Sequence, residues 1–160
     1  MATTPKDACA LLDADHRAVK KLFQEYGALM SSKARTASNR KAELAKEICA
    51  QLTVHAQIEE EIFYPALRQA IKETDLLAEA EVEHQTAKGL IAQIEDREGD
   101  DEAFDAKVTV LGEYIDHHVK EERNEIFPKA RAAKNLDLVA MRSELEQRKA
   151  ELLEQVSAAA

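Results

Sequence analysis

The chain has 160 residues, enough for one compact domain and short for two, with only 4 Gly and 3 Pro along its length. So few turn residues argue against a sandwich or barrel, which turns about every 8–12 positions, and four scattered glycines (Gly27, Gly89, Gly99, Gly112) cannot build a phosphate-cradling loop. With 31 acidic and 22 basic residues the net charge is −9, which disfavours nucleic acid and anionic membrane as partners.

At 33% charged and 45% hydrophobic residues, with no Trp, the composition suits long amphipathic helices. Thr3, Thr4 or Asp7 is placed to cap a first helix reaching about Met30, and the polar stretch from Ser31 to Asn39 reads as a linker. A second helix is expected from about Arg40 to Tyr64, with Pro65 marking a kink or a stop before a short extension to Lys72. Thr74 or Asp75 caps a third helix to about Arg97. Gly99-Asp100-Asp101 forms a turn that also caps a fourth, running to about Glu125 before Pro128 bends or ends it. Asn135 or Asp137 opens a fifth helix to about Val156.

The opening MATTPKDACALLDAD lacks the apolar run of a signal peptide, and no stretch approaches the ~18 apolar residues of a membrane span. A monomer in the reducing cytoplasm is the expectation, with Cys9 and Cys49, far apart and outside any CxxC pattern, as buried small hydrophobes.

Helical periodicity runs through each long segment. The first gives Leu12, His16, Val19, Phe23, Tyr26, Met30; the second Leu44, Ile48, Leu52, His55, Glu59, Ile62. The third gives Leu77, Ala80, His84, Ala87, Ile91, Ile94, and the fourth Phe104, Val108, Leu111, Ile115, His118, Glu122. These seams predict an all-α fold, an antiparallel up-down-up-down four-helix bundle over about 8–130, with an additional C-terminal helix at about 135–157 on one side. The whole of 1–160 is expected to be a single domain.

Each long helix thus carries a histidine in its apolar stripe: His16, His55, His84 and His118. Two add a glutamate one turn on, Glu59 and Glu122, and residues i and i+4 point the same way off a helix. The segments HAQIEEEIFYP and HVKEERNEIFP share His, Glu four later and Pro ten later, and read as pseudo-repeats. A lone core histidine is ordinarily a packing residue. Two buried carboxylates are a different matter, because each is costly by several kcal/mol, roughly, unless paired or coordinated. Two glutamates converging with four imidazoles point to cations. Imidazole and carboxylate without thiolate suit iron or manganese and admit zinc. Six ligands exceed the four of one tetrahedral zinc, and two ions about 3.5–4 Å apart, bridged by carboxylates, would use them all.

Asp15-His16, His55-x-x-x-Glu59 with Phe63 and Pro65, His84 in EVEHQTAKGLI, and His118-x-x-x-Glu122 with Phe127 and Pro128 together resemble the hemerythrin-like HHE cation-binding domain family, over about Leu11 to Ala130. The resemblance implies a non-haem di-iron centre with an oxo or hydroxo bridge. One iron would take His55 and the other His118, with Glu59 and Glu122 bridging and His16 and His84 completing the two spheres. Oxygen-carrying members have a second histidine one turn after that of the third helix; here the position is Lys88.

Glu81 stands one turn before His84, as a substitute oxygen ligand or a solvated glutamate, and His117, about 100° round the helix from His118, reads as a surface or inter-helix histidine and not as a further nitrogen ligand. Tyr114 is placed on the ligand face, either to hydrogen-bond a bound oxygen species or simply to pack, while Tyr26 and Phe23 are expected to wall the pocket. Asp15, Asp116 and Glu121 are candidate partners of the imidazoles, and the remaining members of the acidic runs Glu59-Glu60-Glu61 and Glu121-Glu122 are expected to be solvated. The functional expectation is binding of O₂ or another small diatomic in storage, sensing or iron handling. The alternative is a di-iron enzyme with peroxidase- or catalase-like or oxidase activity, taking a peroxide ligand.

Overall fold

The computed structural model describes residues 6–96 and 102–159. Seven α-helices follow in order among these: α1 (Ala8–Leu29), α2 (Arg35–Ile58), α3 (Tyr64–Ala70), α4 (Thr74–Glu95), α5 (Glu102–Glu121), α6 (Phe127–Ala132) and α7 (Leu138–Ala159). Two π-helical segments, Glu59–Phe63 and Glu122–Ile126, join α2 to α3 and α5 to α6. The long helices form the expected bundle, α1 beside α2 and α5, α4 beside α2 and α5, with α7 lying against α1 and α2. No strand occurs among the described residues, and none of their helices is long and apolar enough to cross a membrane.

Helix ends follow local chemistry, with some corrections. Asp7 caps α1, its Oδ1 accepting from the Ala10 N–H at 2.9 Å, and Asp137 caps α7 through Ala140 at 3.0 Å. Thr3, Thr4 and the turn at 99–101 lie outside the described residues. The linker after α1 is shorter than the polar sequence implies: α2 begins at Arg35, because Ala37 packs into the core and pulls the first turn with it. Neither Thr74 nor Asp75 caps α4, which starts at Thr74 after Glu73 without a side-chain cap.

Neither Pro65 nor Pro128 stops its helix. Each sits in the first turn after a π segment, where the Tyr64 N–H reaches back to the Glu59 carbonyl and the Phe127 N–H to that of Glu122. A proline inside an α-helix loses a hydrogen bond and clashes with the carbonyl four residues back. The widened turn relieves that clash, so two rods continue, over 35–70 and 102–132.

The core divides into two apolar clusters. One joins Leu12, Ile58, Phe63, Tyr64, Leu77, Phe127 and the inner face of α7; the other joins Val19, Tyr26, Leu44, Ile48, Ile91 and Leu111. Between them lies a polar layer. Cys9 and Cys49 are free and buried in these clusters; burial pushes both thiols up to about 12, with Asp7 adding to the rise at Cys9 and Glu95 at Cys49. Such thiols are packing residues, as expected.

Asp7 also receives Arg131 from α6, at 3.1 and 3.2 Å. Burial raises its carboxyl pKa, but Arg131 and the Ala10 N–H outweigh it and hold the group below its ordinary value. Asp7→Ala is therefore expected to destabilise the fold by about 1–2 kcal/mol near neutral pH. The depressed carboxyl contributes above its unfolded value and loses that contribution as pH falls through the folded value. Urea unfolding of the two proteins should thus converge in acid; a gap independent of pH would refute this role.

Candidate metal centre

All six residues singled out from the sequence meet in the polar layer. His16, His55, His84 and His118 are 5–7% exposed and Glu59 and Glu122 are 0% exposed. They fall into two trios, His16–His55–Glu122 and Glu59–His84–His118, with the ligand-capable atoms of each within 4.8 Å of one another. The imidazoles form two matching pairs: His16 with His55 and His84 with His118 both have centroids 4.8 Å apart and rings inclined at 62°. Both carboxylates stand between the pairs. Glu59 Oε1 is 3.1 Å from His55 Nε2 and 3.3 Å from His84 Nε2; Glu122 Oε1 is 3.1 Å from His16 Nε2 and 3.0 Å from His118 Nε2.

The pseudo-repeats explain this symmetry, and a detail the periodicity hides. In an uninterrupted α-helix the residue nine after His55 points roughly 180° away from it. The additional residue in the π turn removes about 100° of that, which brings Tyr64 and its counterpart Phe127 to the ligand side. Ile62, placed in the seam by regular spacing, is displaced to a half-buried position, while Phe63 and Tyr64 are buried. Phe127 stacks on His16 at 6.0 Å, and Tyr64 packs on His84 at 5.4 Å. The two halves differ by one phenol: Tyr64 Oη lies 3.4 Å from Nε2 of both His84 and His118 and donates to Glu122 Oε2 at 3.5 Å.

Every histidine is held from behind by a carboxylate. Nδ1 of His16 meets Asp13 at 3.3 Å, that of His55 meets Asp15 at 3.0 Å, that of His84 meets Glu60 at 3.1 Å, and that of His118 meets Glu83 at 2.9 Å. A carboxylate only accepts, so Nδ1 must donate, and Nε2 is left facing the centre. This is the support that metal-binding imidazoles receive. Asp15 was among the candidates for it. Spacing along one helix does not mark Asp13, Glu60 or Glu83, and Glu60, expected to be solvated, is instead half-buried and reaches across to His84 on α4. Asp116 lines a separate groove, and Glu121 pairs with His117 at 3.1 Å.

The chemistry of the cluster asks for a cation. Both oxygens of Glu59 and Nε2 of His55 are buried and make no well-aligned hydrogen bond among the described residues, although Glu59 Oε1 and His55 Nε2 stand only 3.1 Å apart. Burial pulls the His55 imidazole down, but Glu59 and Asp15 outweigh it and lift it to about 10; His118 is lifted to about 12 against burial by Glu122, Glu59 and Glu83. The Glu59 carboxyl lies well below its ordinary range, because His55, Glu122 and His118 overcome the upward push of burial. Burial and then Glu122 and Glu59 raise the Tyr64 phenol well above its ordinary value, so it holds its proton. Charged imidazoles and carboxylates packed around orphaned atoms fit metal ions in place of those protons.

Above the His16–His55 and His84–His118 pairs lies a cavity of about 40 Å³, walled mainly by Val19, Leu52, Ala87, Ile91, Ile115 and Val119. Tyr114 lines it from a position 43% exposed.

The model of the Hemerythrin HHE cation binding domain matches residues 7–130. The chain belongs to this family. Among solved structures, a hemerythrin HHE cation-binding domain-containing protein from Mycobacterium kansasii is similar in fold, with a TM-score of 0.74 at 22% identity over 92% of this chain and 88% of that one. A search of curated proteins finds no match.

Measured against the hemerythrin pattern, the missing histidine at Lys88 acquires a structural explanation. Lys88 Nζ binds Glu60 at 2.6 Å, and Glu60 holds His84, so the lysine supports an imidazole instead of supplying one. Glu81 is no substitute ligand: it pairs with Arg68 at 2.9 Å on the surface. Tyr26 does not wall the cavity. It lies in the distal cluster and donates to Asp105 at 2.6 Å, while Phe23 lines a neighbouring groove, its ring 3.2 Å from where a Cβ at Gly112 would stand.

Proposed function

We propose that the centre holds two iron ions and takes up O₂ or another small diatomic. One ion would be held by His16 and His55, the other by His84 and His118, with Glu59 and Glu122 spanning both. The observation that carries this reading is the pair of fully buried carboxylates, each within 3.3 Å of an imidazole from both histidine pairs. Imidazole and carboxylate donors without thiolate suit iron, and manganese or zinc could substitute.

Iron, when bound, supplies the electrons that a small oxygen-derived ligand requires. The chain supplies the rest. Four carboxylates fix the imidazoles, apolar walls exclude water, and the cavity of about 40 Å³ admits a molecule of a few atoms, since one water needs roughly 10–15 Å³ of such space. Tyr64 favours the alternative, peroxidase- or catalase-like or oxidase chemistry, because its Oη–H is a proton held beside one half of the centre only.

Elemental analysis is expected to find about two irons per chain. Stopped-flow mixing of the reduced, loaded protein with O₂ then separates the readings. A stable adduct that releases O₂ supports binding. Peroxide turnover that falls by about 10–100-fold in Tyr64→Phe supports the enzyme. A protein loaded with iron that responds to neither ligand would refute both.

A further inference from the structure

The four carboxylates behind the histidines are not equally compensated. Asp13 is met by Arg17 and Arg123, Asp15 by Lys149 and Glu60 by Lys88. Each of these three therefore carries a permanent cation. Glu83 has no Lys or Arg ion pair among the described residues. One of its oxygens holds His118 at 2.9 Å, and the other faces His117 Nε2 at 3.3 Å. His117 Nε2 in turn lies 3.1 Å from Glu121 Oε1. The place that a lysine or arginine fills three times elsewhere is filled here by one imidazole and a second carboxylate.

These are metal-ligand types in a metal-ligand arrangement. Ligand-capable atoms of Glu83, His117 and Glu121 all lie within 4.8 Å of one another. His117 and Glu121 repeat, one residue earlier, the spacing of His118 and Glu122, so α5 presents two His-x-x-x-Glu pairs roughly 100° apart, one inward and one outward. The outward pair opens on a surface groove of about 440 Å³, whose wall adds the negative charge of Glu79. His117 is 64% exposed at its side chain, which leaves the site open to ions and to the waters that would complete their coordination.

We infer that Glu83, His117 and Glu121 form a second, outer site for a first-row divalent cation, such as Zn²⁺, Mn²⁺ or Fe²⁺. The cation serves as the permanent positive charge that the other three carboxylates already have. Glu83 spans from this outer ion to His118, so occupancy outside is linked to the orientation of one imidazole inside.

Equilibrium dialysis against micromolar zinc, followed by elemental analysis, tests this on the full chain with its buried centre already loaded. His117→Ala/Glu121→Gln changes one exposed and one half-buried residue, both outside that centre. The wild type is expected to hold about one zinc per chain more than this variant. Zinc contents that are equal in the two proteins overturn the outer site. The same substitutions made on His55→Ala/Glu59→Ala keep the two questions apart. There too the outer site predicts a loss of about one zinc, whether or not the inner pair of ions exists.

Discussion

His55→Ala combined with Glu59→Ala empties the buried centre, taking the content of that centre from the proposed two ions per chain to nearly none when both proteins carry His117→Ala/Glu121→Gln. Loss of one outer carboxylate from a metal-binding imidazole typically weakens affinity by about 10–100-fold. In the proposed centre the double variant removes a direct imidazole from one ion and a carboxylate shared by both, so on the order of 10⁴-fold is expected. The fold should survive, because the substitutions delete the orphaned atoms themselves: both Glu59 oxygens and His55 Nε2. Circular dichroism checks the fold, and elemental analysis after dialysis checks the metal. Asp15→Asn provides a graded comparison. It weakens the support of His55 while sparing every direct ligand, and should lie within the 10–100-fold range, roughly. Full occupancy in the double variant would sink the assignment of the buried ligands.

What was legible in the sequence follows from where the helices are regular. His16 and His84 lie in uninterrupted α-helix, and the steps from His55 to Glu59 and from His118 to Glu122 end where the π segments begin, so spacing alone placed all six on inward faces. Beyond that point the phase changes. Tyr64 is legible only once Pro65 and Pro128 are aligned, which sets Tyr64 opposite Phe127 and exposes the phenol that one half of the centre has and the other lacks. The supporting carboxylates were hidden for another reason. Glu60 and Glu83 serve histidines on neighbouring helices, and no spacing within one helix reports a contact across the bundle. A signal did exist: the acid–histidine pairs Asp15-His16 and Glu83-His84 stand at equivalent places, and each acid holds the histidine of the following long helix. In the fold, the short link before α2 was obscured because 35–39 reads as polar although Ala37 is buried.

Removing the metal lowers thermal stability, and by more at higher pH. A ligand present at about 1,000 times its Kd stabilises by roughly 4 kcal/mol, which corresponds to a Tm shift of roughly 8–16 °C for a chain of this size. In the metal-free protein His55 is raised to about 10 and His118 to about 12. Groups whose folded pKa is raised contribute stability that is fully present below the unfolded value, near 6.5, and is lost as pH rises through the folded value. The metal-free protein therefore weakens from about pH 6.5 upward. The loaded protein has the opposite dependence, since metal must displace those protons, and affinity rises about tenfold per pH unit for each proton displaced. The Tm gap between loaded and chelated protein should widen with pH, and calorimetry at several pH values measures it. With His117→Ala/Glu121→Gln present in both proteins, His55→Ala/Glu59→Ala should show no gap at any pH, because its buried centre holds nothing to be removed. A gap in the wild type that stays constant or narrows as pH rises would mean that the protons on His55 and His118 do not occupy the positions the metal takes.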